Sequence, residues 1–257
     1  MRQVYKLISL LLLTLNSVGS FAQSGEEEFA ALSFDSSKSI DLPYRLHSPT
    51  NALGEDVPLI VYLHGSGGWG DDNIGQISGG NVHGTHLWLE PAVASQNPAF
   101  VIAPQIPSPH RWSDADSDEL SLYAGALIEL IDQLLREQPI DKSRIYLIGQ
   151  SLGGMGVWDI VAKRPKLFAA GIPVCGNGNP DRIVAAREVA LWAFHGDADT
   201  AVPVTGSRAM VAKLRAVEGD IRYSEYEGVG HNSWERAFAE PELATWLSSK
   251  STTESVR

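Results

Sequence analysis

The sequence holds one cysteine, Cys175, in 257 residues. That excludes an internal disulfide framework and every zinc site built from cysteine pairs. Stability must therefore come from packing. Basic residues are scarce too: 20 Lys and Arg stand against 31 Asp and Glu, a formal net charge of -11. Nucleic acids and anionic membranes require a basic face, so neither is expected as a partner. No apolar run approaches the ~20 residues that a membrane span needs. There is no internal repeat, no low-complexity linker and no second core pattern. What is present is 44% hydrophobic and 20% charged, ordinary for a globular chain long enough for one sizeable domain.

The first 22 residues are of another kind. Arg2 and Lys6 form a positive start, Leu7 to Leu15 a short apolar core, and Ser20-Phe21-Ala22 offers small residues before Gln23. This is the pattern of a cleaved secretory signal, too short to anchor. It predicts a periplasmic or secreted protein with no stable membrane insertion after cleavage. Residues 23–29 read as a flexible lead-in, 30–250 as one domain and 251–257 as a tail. Cys175 ends an apolar run, which predicts a buried structural thiol.

Within the domain, short continuous apolar runs alternate with helical patterns. The runs are 58–63, 99–103, 144–148, 169–174 and 189–194, with a further strand-like stretch at 221–226. Apolar runs without alternation suit strands buried on both faces of a parallel sheet. Between them, Leu120, Ala124, Leu127, Ile128, Ile131, Leu134 and Leu135 form a stripe at helical spacing. Helices are also predicted at 155–163, 207–217 and 234–247. Strand and helix in turn imply a doubly wound α/β sheet, whose ligands bind at the carboxyl ends of the strands.

At one such end the chain reads Gly149-Gln150-Ser151-Leu152-Gly153-Gly154. A sharp strand-to-helix turn with a single hydroxyl at its apex is what an exposed serine nucleophile requires. Such a serine needs a base oriented by a third group. With the chain order serine, acid, histidine, only His195 and His231 follow Ser151. His195 leaves no room for an earlier acid, so His231 is the candidate base and Asp197 or Asp199 the acid. Position within the loop favours Asp199, because Asp197 directly follows Gly196, where a short polar side chain caps its own turn. A tetrahedral oxyanion also needs two donors. The first candidate is the Leu152 N–H. The second lies in the glycine-rich loop His64-Gly65-Ser66-Gly67-Gly68: the Ser66 N–H, with Gly65 as the alternative. His64 itself reads as a brace for that loop.

Five blocks, LHGSGGWGDDN (63–73), APQIP (103–107), IGQSLGGMGVWD (148–159), FHGDADTAVP (194–203) and GVGHNSW (228–234), resemble the α/β-hydrolase esterases of the predicted-peptidase and phospholipase/carboxylesterase-like branch, relatives of the prolyl oligopeptidases. The resemblance runs from about residue 55 to 248. It implies an α/β-hydrolase fold, carboxylesterase activity without a cofactor, and Asp199 as the acid through its D-x-x-V-P spacing. Residues 75–91 depart from the pattern, which leaves the substrate mouth undefined.

Trp69, Trp112 and Trp234 fall in loops at the carboxyl edge and are candidates for stacking on a sugar or aromatic acyl group. His83 and His86 lie three apart across Gly84, a weak metal signal that predicts a loop rather than a metal site. The expectation is an exported serine hydrolase acting on small-molecule or oligosaccharide esters, such as acetylated or feruloylated polysaccharide fragments. The alternatives are a serine peptidase on short peptides and a non-catalytic binding protein on a hydrolase fold.

Overall fold

The computed structural model describes residues 28–50 and 54–252. The signal segment 1–22, most of the lead-in and the end of the tail lie outside the described residues. The chain is already anchored at Phe29, which is buried although it belongs to the expected lead-in. At the other end the Thr252 N–H donates to the Ser143 carbonyl at 2.8 Å, so the first tail residues pack back on the domain.

In chain order the regular elements are β1 (Ala30–Asp35), β2 (Asp41–His47), β3 (Val57–Leu63), α1 (Val82–His86), α2 (Pro91–Ala94), β4 (Phe100–Pro104), α3 (Leu122–Glu137), β5 (Ile140–Gln150), α4 (Leu152–Lys163), β6 (Ala170–Val174), β7 (Ala190–Gly196), α5 (Thr205–Ala216), β8 (Ile221–Tyr226), α6 (Trp234–Ala237) and α7 (Leu243–Ser248). Eight strands make one sheet in the order β1-β2-β4-β3-β5-β6-β7-β8. β1 and β2 pair antiparallel, as do β2 and β4. Every other pairing is parallel.

The apolar runs become strands because both faces of the sheet are covered. Along β3, Leu59, Val61 and Leu63 enter one core while Ile60 and Tyr62 enter the other. β5 does the same with Ile145 and Leu147 against Tyr146 and Ile148. The first core takes the buried stripe of α3, including Leu127, Ile131 and Leu134, together with Trp158 of α4 and Leu214 of α5. The second takes Phe238, Leu243 and Leu247 around α6 and α7. Ser121 caps α3, its side chain accepting from the Ala124 N–H.

Two of the regular elements also depart from the sequence reading. The hairpin β1–β2 had no strand signal, because β1 is largely exposed and β2 carries Pro43 and buries only alternate residues, Leu42 and Tyr44. The helix predicted over 234–247 is two helices. Pro241 lacks an N–H and disfavours helical geometry at Glu240, so α6 ends before it.

Candidate active site

Gln150 ends β5 and Leu152 begins α4, so Ser151 makes the whole turn between them. Its backbone sits at φ 53 and ψ -115. A non-glycine residue in that region stores on the order of 1–3 kcal/mol of strain, and packing must hold it there. The Ser151 N–H donates to the Val174 carbonyl at 2.8 Å, tying the apex to β6. The flanking glycines are dictated by contact. A Cβ on Gly153 would stand 1.9 Å from the Leu63 carbonyl oxygen, and one on Gly149 2.8 Å from the same atom. The helix can therefore start against β3 only with glycine at both places.

Ser151 Oγ lies 2.8 Å from His231 Nε2, and His231 Nδ1 lies 2.7 Å from Asp199 Oδ2. The hydroxyl donates to Nε2, and the Nδ1–H donates to the carboxylate. Both aspartates follow β7, yet the structure separates them. Asp199 is buried and Asp197 is exposed. Asp199 Oδ1 accepts the Ala201 and Val202 N–H groups at 2.8 and 2.9 Å. Burial pushes its pKa up, but the His231 and backbone hydrogen bonds outweigh that and hold it below the usual carboxylate value. The turn-capping expected of Asp197 is thus performed by Asp199. Asp197 Oδ1 instead accepts the Gly228 N–H at 2.7 Å, and the Ala198 N–H donates to the Val229 carbonyl at 3.0 Å. These bonds join the acid loop to the loop that carries His231.

Opposite the elbow, β3 runs into a short 3-10 turn at Ser66–Gly68. Gly65 is corrected as an oxyanion donor: its N–H is already bound by Asn81 Oδ1 at 3.1 Å. Ser66 and Leu152 each open a helical turn, where the backbone N–H has no intrahelical acceptor. The loop is braced from two sides. Asn81 Oδ1 also accepts the Tyr62 hydroxyl at 2.9 Å, and Asn81 Nδ2 donates to the Gly75 carbonyl at 2.9 Å. His64 donates from Nδ1 to the Gly65 carbonyl at 2.7 Å and accepts the Ile106 N–H at Nε2, 3.1 Å away. Burial lowers its pKa to about 4, so the brace is a neutral imidazole. Asn81 is a site residue that sequence reasoning missed, because it lies in the block that departs from the familiar pattern.

Residues 52–242 match the family model described as Phospholipase/Carboxylesterase. This chain belongs to the phospholipase/carboxylesterase family of α/β hydrolases. It is 28% identical over 181 residues to NocK of Nocardia uniformis subsp. tsuyamanensis, whose name classes it provisionally as an esterase; the match covers 68% of this chain and 50% of that one. It is 35% identical to the crystal structure of a thermostable esterase, with a TM-score of 0.84 over 88% of this chain and 64% of the other. The chain thus spans between half and two thirds of the length of these relatives. A ferulic acid esterase superposes with a TM-score of 0.65 over 86% of this chain, at 14% identity, a likeness of fold alone.

Among the remaining candidates in this family member, the three tryptophans divide. Trp112 is wholly buried, edge-on to His64 at 5.3 Å, and its Nε1–H donates to the His64 carbonyl. It cannot touch a substrate, and the sequence expectation is corrected: the chain after β4 dips beneath the 64–68 loop. Trp69 is half-buried, its Nε1–H donating to the His110 carbonyl at 2.9 Å. Trp234 stands perpendicular to the His231 ring, 5.4 Å away. His83 and His86 share the short helix α1 rather than the expected loop, and border a cleft of about 910 Å³ with Phe238 and Pro241. Among the described residues, one trio of metal-type side chains comes together, Cys175, Asp199 and His231, within 4.8 Å. It overlaps the triad, and its Cys175 is fully buried with a thiol pushed up by that burial to about 12.

Proposed function

We propose that this chain is an exported serine carboxylesterase that uses Ser151, His231 and Asp199. The observation that carries the reading is the unbroken relay from Ser151 Oγ to His231 Nε2 at 2.8 Å and from His231 Nδ1 to Asp199 Oδ2 at 2.7 Å, mounted on a strained strand-to-helix turn. Ser151 Oγ attacks the ester carbonyl as His231 Nε2 takes its proton. Asp199 fixes the imidazole tautomer and stabilises the imidazolium. The Leu152 and Ser66 N–H groups receive the oxyanion. His231 returns the proton to the departing alcohol, leaving an acyl-serine. Water, deprotonated by the same imidazole, then releases the acid. Side chains and backbone handle every proton and electron pair, so no cofactor enters. Family membership and the esterase relatives support ester over amide substrates.

Export rests on the pattern of residues 1–22, which lie outside the described residues. Together with Trp234 beside His231, it supports acetylated or feruloylated oligosaccharides as substrates. The test has two stages. A fluorophosphonate probe should label the protein one-to-one, and Ser151→Ala should abolish labelling. Then kcat/KM is compared across p-nitrophenyl esters, acetyl and feruloyl sugars, and peptide anilides. Preference for the anilides would replace the esterase reading with the peptidase one, and failure to label would favour a binding protein.

A further inference from the structure

Asp199 has a second imidazole on it. His195, at the end of β7, is fully buried. Its Nε2 lies 3.2 Å from Asp199 Oδ2 and 3.0 Å from the Val202 carbonyl oxygen. Both of those atoms only accept, so Nε2 must carry a proton. Oδ2 is also the oxygen that takes the His231 Nδ1–H. The carboxylate therefore receives four donors, two backbone N–H groups on Oδ1 and two imidazole N–H groups on Oδ2. That fills its accepting capacity and fixes its plane.

We propose that His195 is a positioning residue for the triad: it clamps Asp199 through a second imidazole N–H on Oδ2 and draws negative charge away from that oxygen. The proposal rests on the serine-esterase reading. The far side of the ring makes the arrangement rigid. His195 Nδ1 lies 2.7 Å from Ser207 Oγ, which lies 2.8 Å from the Gly176 carbonyl oxygen. Ser207 has one hydroxyl proton. Pointed at Gly176, it obliges Nδ1 to donate; pointed at Nδ1, it leaves Nδ1 accepting. In both orientations the Nε2–H stays on Asp199, so the clamp does not depend on the charge of the ring.

The other ionisable groups nearby are engaged elsewhere. Glu225 of β8 lies opposite His195 in the sheet register and is gripped by Arg208 of α5 at 2.6 and 2.9 Å. Tyr223 donates to the same carboxylate. Asp197 is bound to the Gly228 N–H, and Cys175 is a buried thiol held neutral well above neutral pH. His195 is thus the side chain that opposes His231 for the charge on Asp199. Without it, the carboxylate turns more freely and its full charge acts on His231. A looser acid lowers kcat. A more negative acid makes His231 more basic, which moves the acid limb of the kcat/KM profile to higher pH.

The test compares His195→Phe, which keeps a ring and loses both nitrogens, with His195→Gln, which keeps an N–H donor near the Nε2 position. Turnover is expressed per site titrated with the fluorophosphonate probe. The Phe variant should lose about 10- to 100-fold in kcat with KM within about twofold, and its acid limb should move up by about half a pH unit or more. The Gln variant should return to within about threefold of wild type, with the limb restored. Should the Phe variant not fold, His195→Asn reaches toward Ser207 but not Asp199 and takes its place. A Phe or Asn variant with wild-type kcat and an unmoved limb overturns the proposal, as does loss in the Gln variant equal to that in the Phe variant. Ser151→Ala, run alongside, separates the two readings: if it keeps activity, the serine-esterase reading is what has failed.

Discussion

The two walls around Ser151 are built by different means. One wall is the elbow, the acid loop and the base loop, residues 149–155, 196–202 and 228–231. It hangs directly on the ends of β5, β7 and β8, and its geometry is set by backbone contacts such as Gly153 against the Leu63 carbonyl and Ala198 against Val229. The other is the 66–68 loop with the segments that brace it, residues 69–81 and 105–112. It contains short 3-10 turns at Ser66–Gly68, Gly75–Ile77 and Gly79–Asn81. Side chains from distant parts of the chain hold it together. Gln105 donates to the Gly68 carbonyl and to Asp72 and accepts the Asn73 N–H, while Arg45 donates to the Asn73 carbonyl. A backbone-built wall fixes reacting atoms to fractions of an ångström. A wall held by side chains can vary its shape beyond Ser66 without moving Ser151, His231 or Asp199.

The largest effects on turnover belong to the first wall. Ser151→Ala removes one hydroxyl from an apex that packing already holds. Its melting temperature should match wild type within a few degrees, while ester turnover falls by about 10⁴ or more, because triad members act as a unit. More than a hundredth of wild-type turnover would remove Ser151 from the reaction. Gly153→Ala should also abolish activity, but by unfolding, since its Cβ would meet the Leu63 carbonyl oxygen at 1.9 Å and backbone cannot yield that far. Thermal melts distinguish the two.

The next effect sharpens the comparison within one loop. Asp199→Asn should cost about 10³ to 10⁴ in kcat, because an amide cannot hold the His231 tautomer that serves as base. Asp197→Asn should cost less than about tenfold. Its contact is the Gly228 N–H, which an asparagine oxygen still accepts. The measurement is kcat on one activated ester at matched melting temperatures. A crippled Asp197→Asn would reassign the acid.

These two walls also explain what the sequence revealed. The strands buried on both faces carry continuous apolar runs, so β3 to β7 were legible, as were Ser151, His231 and the pair of candidate aspartates at their ends. The hairpin β1–β2 was not, because a half-exposed strand with a proline carries little pattern. Asn81 and Gln105 were invisible for another reason: each acts by binding residues 16 to 37 positions away, and no local spacing announces such bonds. The same blindness made Trp112 look like a binding residue when it lies under the 64–68 loop, and hid the contact of His195 with Asp199.

A smaller effect tests the brace between the walls. His64 is buried and neutral, with its pKa lowered from an ordinary ~6.5 to about 4. The unfolded chain therefore binds more protons than the folded one between those values. The stability contributed by keeping His64 neutral is fully present above about pH 6.5 and is lost as pH falls toward 4, a decline of about 3 kcal/mol. Urea titrations at pH 7 and pH 4.5 read it directly. In His64→Gln, whatever its absolute stability, the part of the pH slope in that window should disappear. A slope that persists would place the acid sensitivity in other groups.

The smallest effect on turnover sorts the tryptophans. Trp112→Ala empties a fully buried site and should cost about 3–5 kcal/mol of stability, with activity per folded molecule little changed. Trp234→Ala should do the opposite. Its ring is half-buried and stands against His231 without a hydrogen bond to the triad, so removing it leaves the Ser151–His231–Asp199 relay in place. What is lost is an aromatic face beside His231, worth about 0.5–1.5 kcal/mol to a ring stacked on it. KM for feruloyl or aryl esters should rise about three- to tenfold with kcat within about threefold, and KM for a small acetyl ester should hardly move. If both esters lose kcat equally and keep KM, Trp234 serves to hold the His231 ring, and it joins the backbone-built wall rather than the mouth.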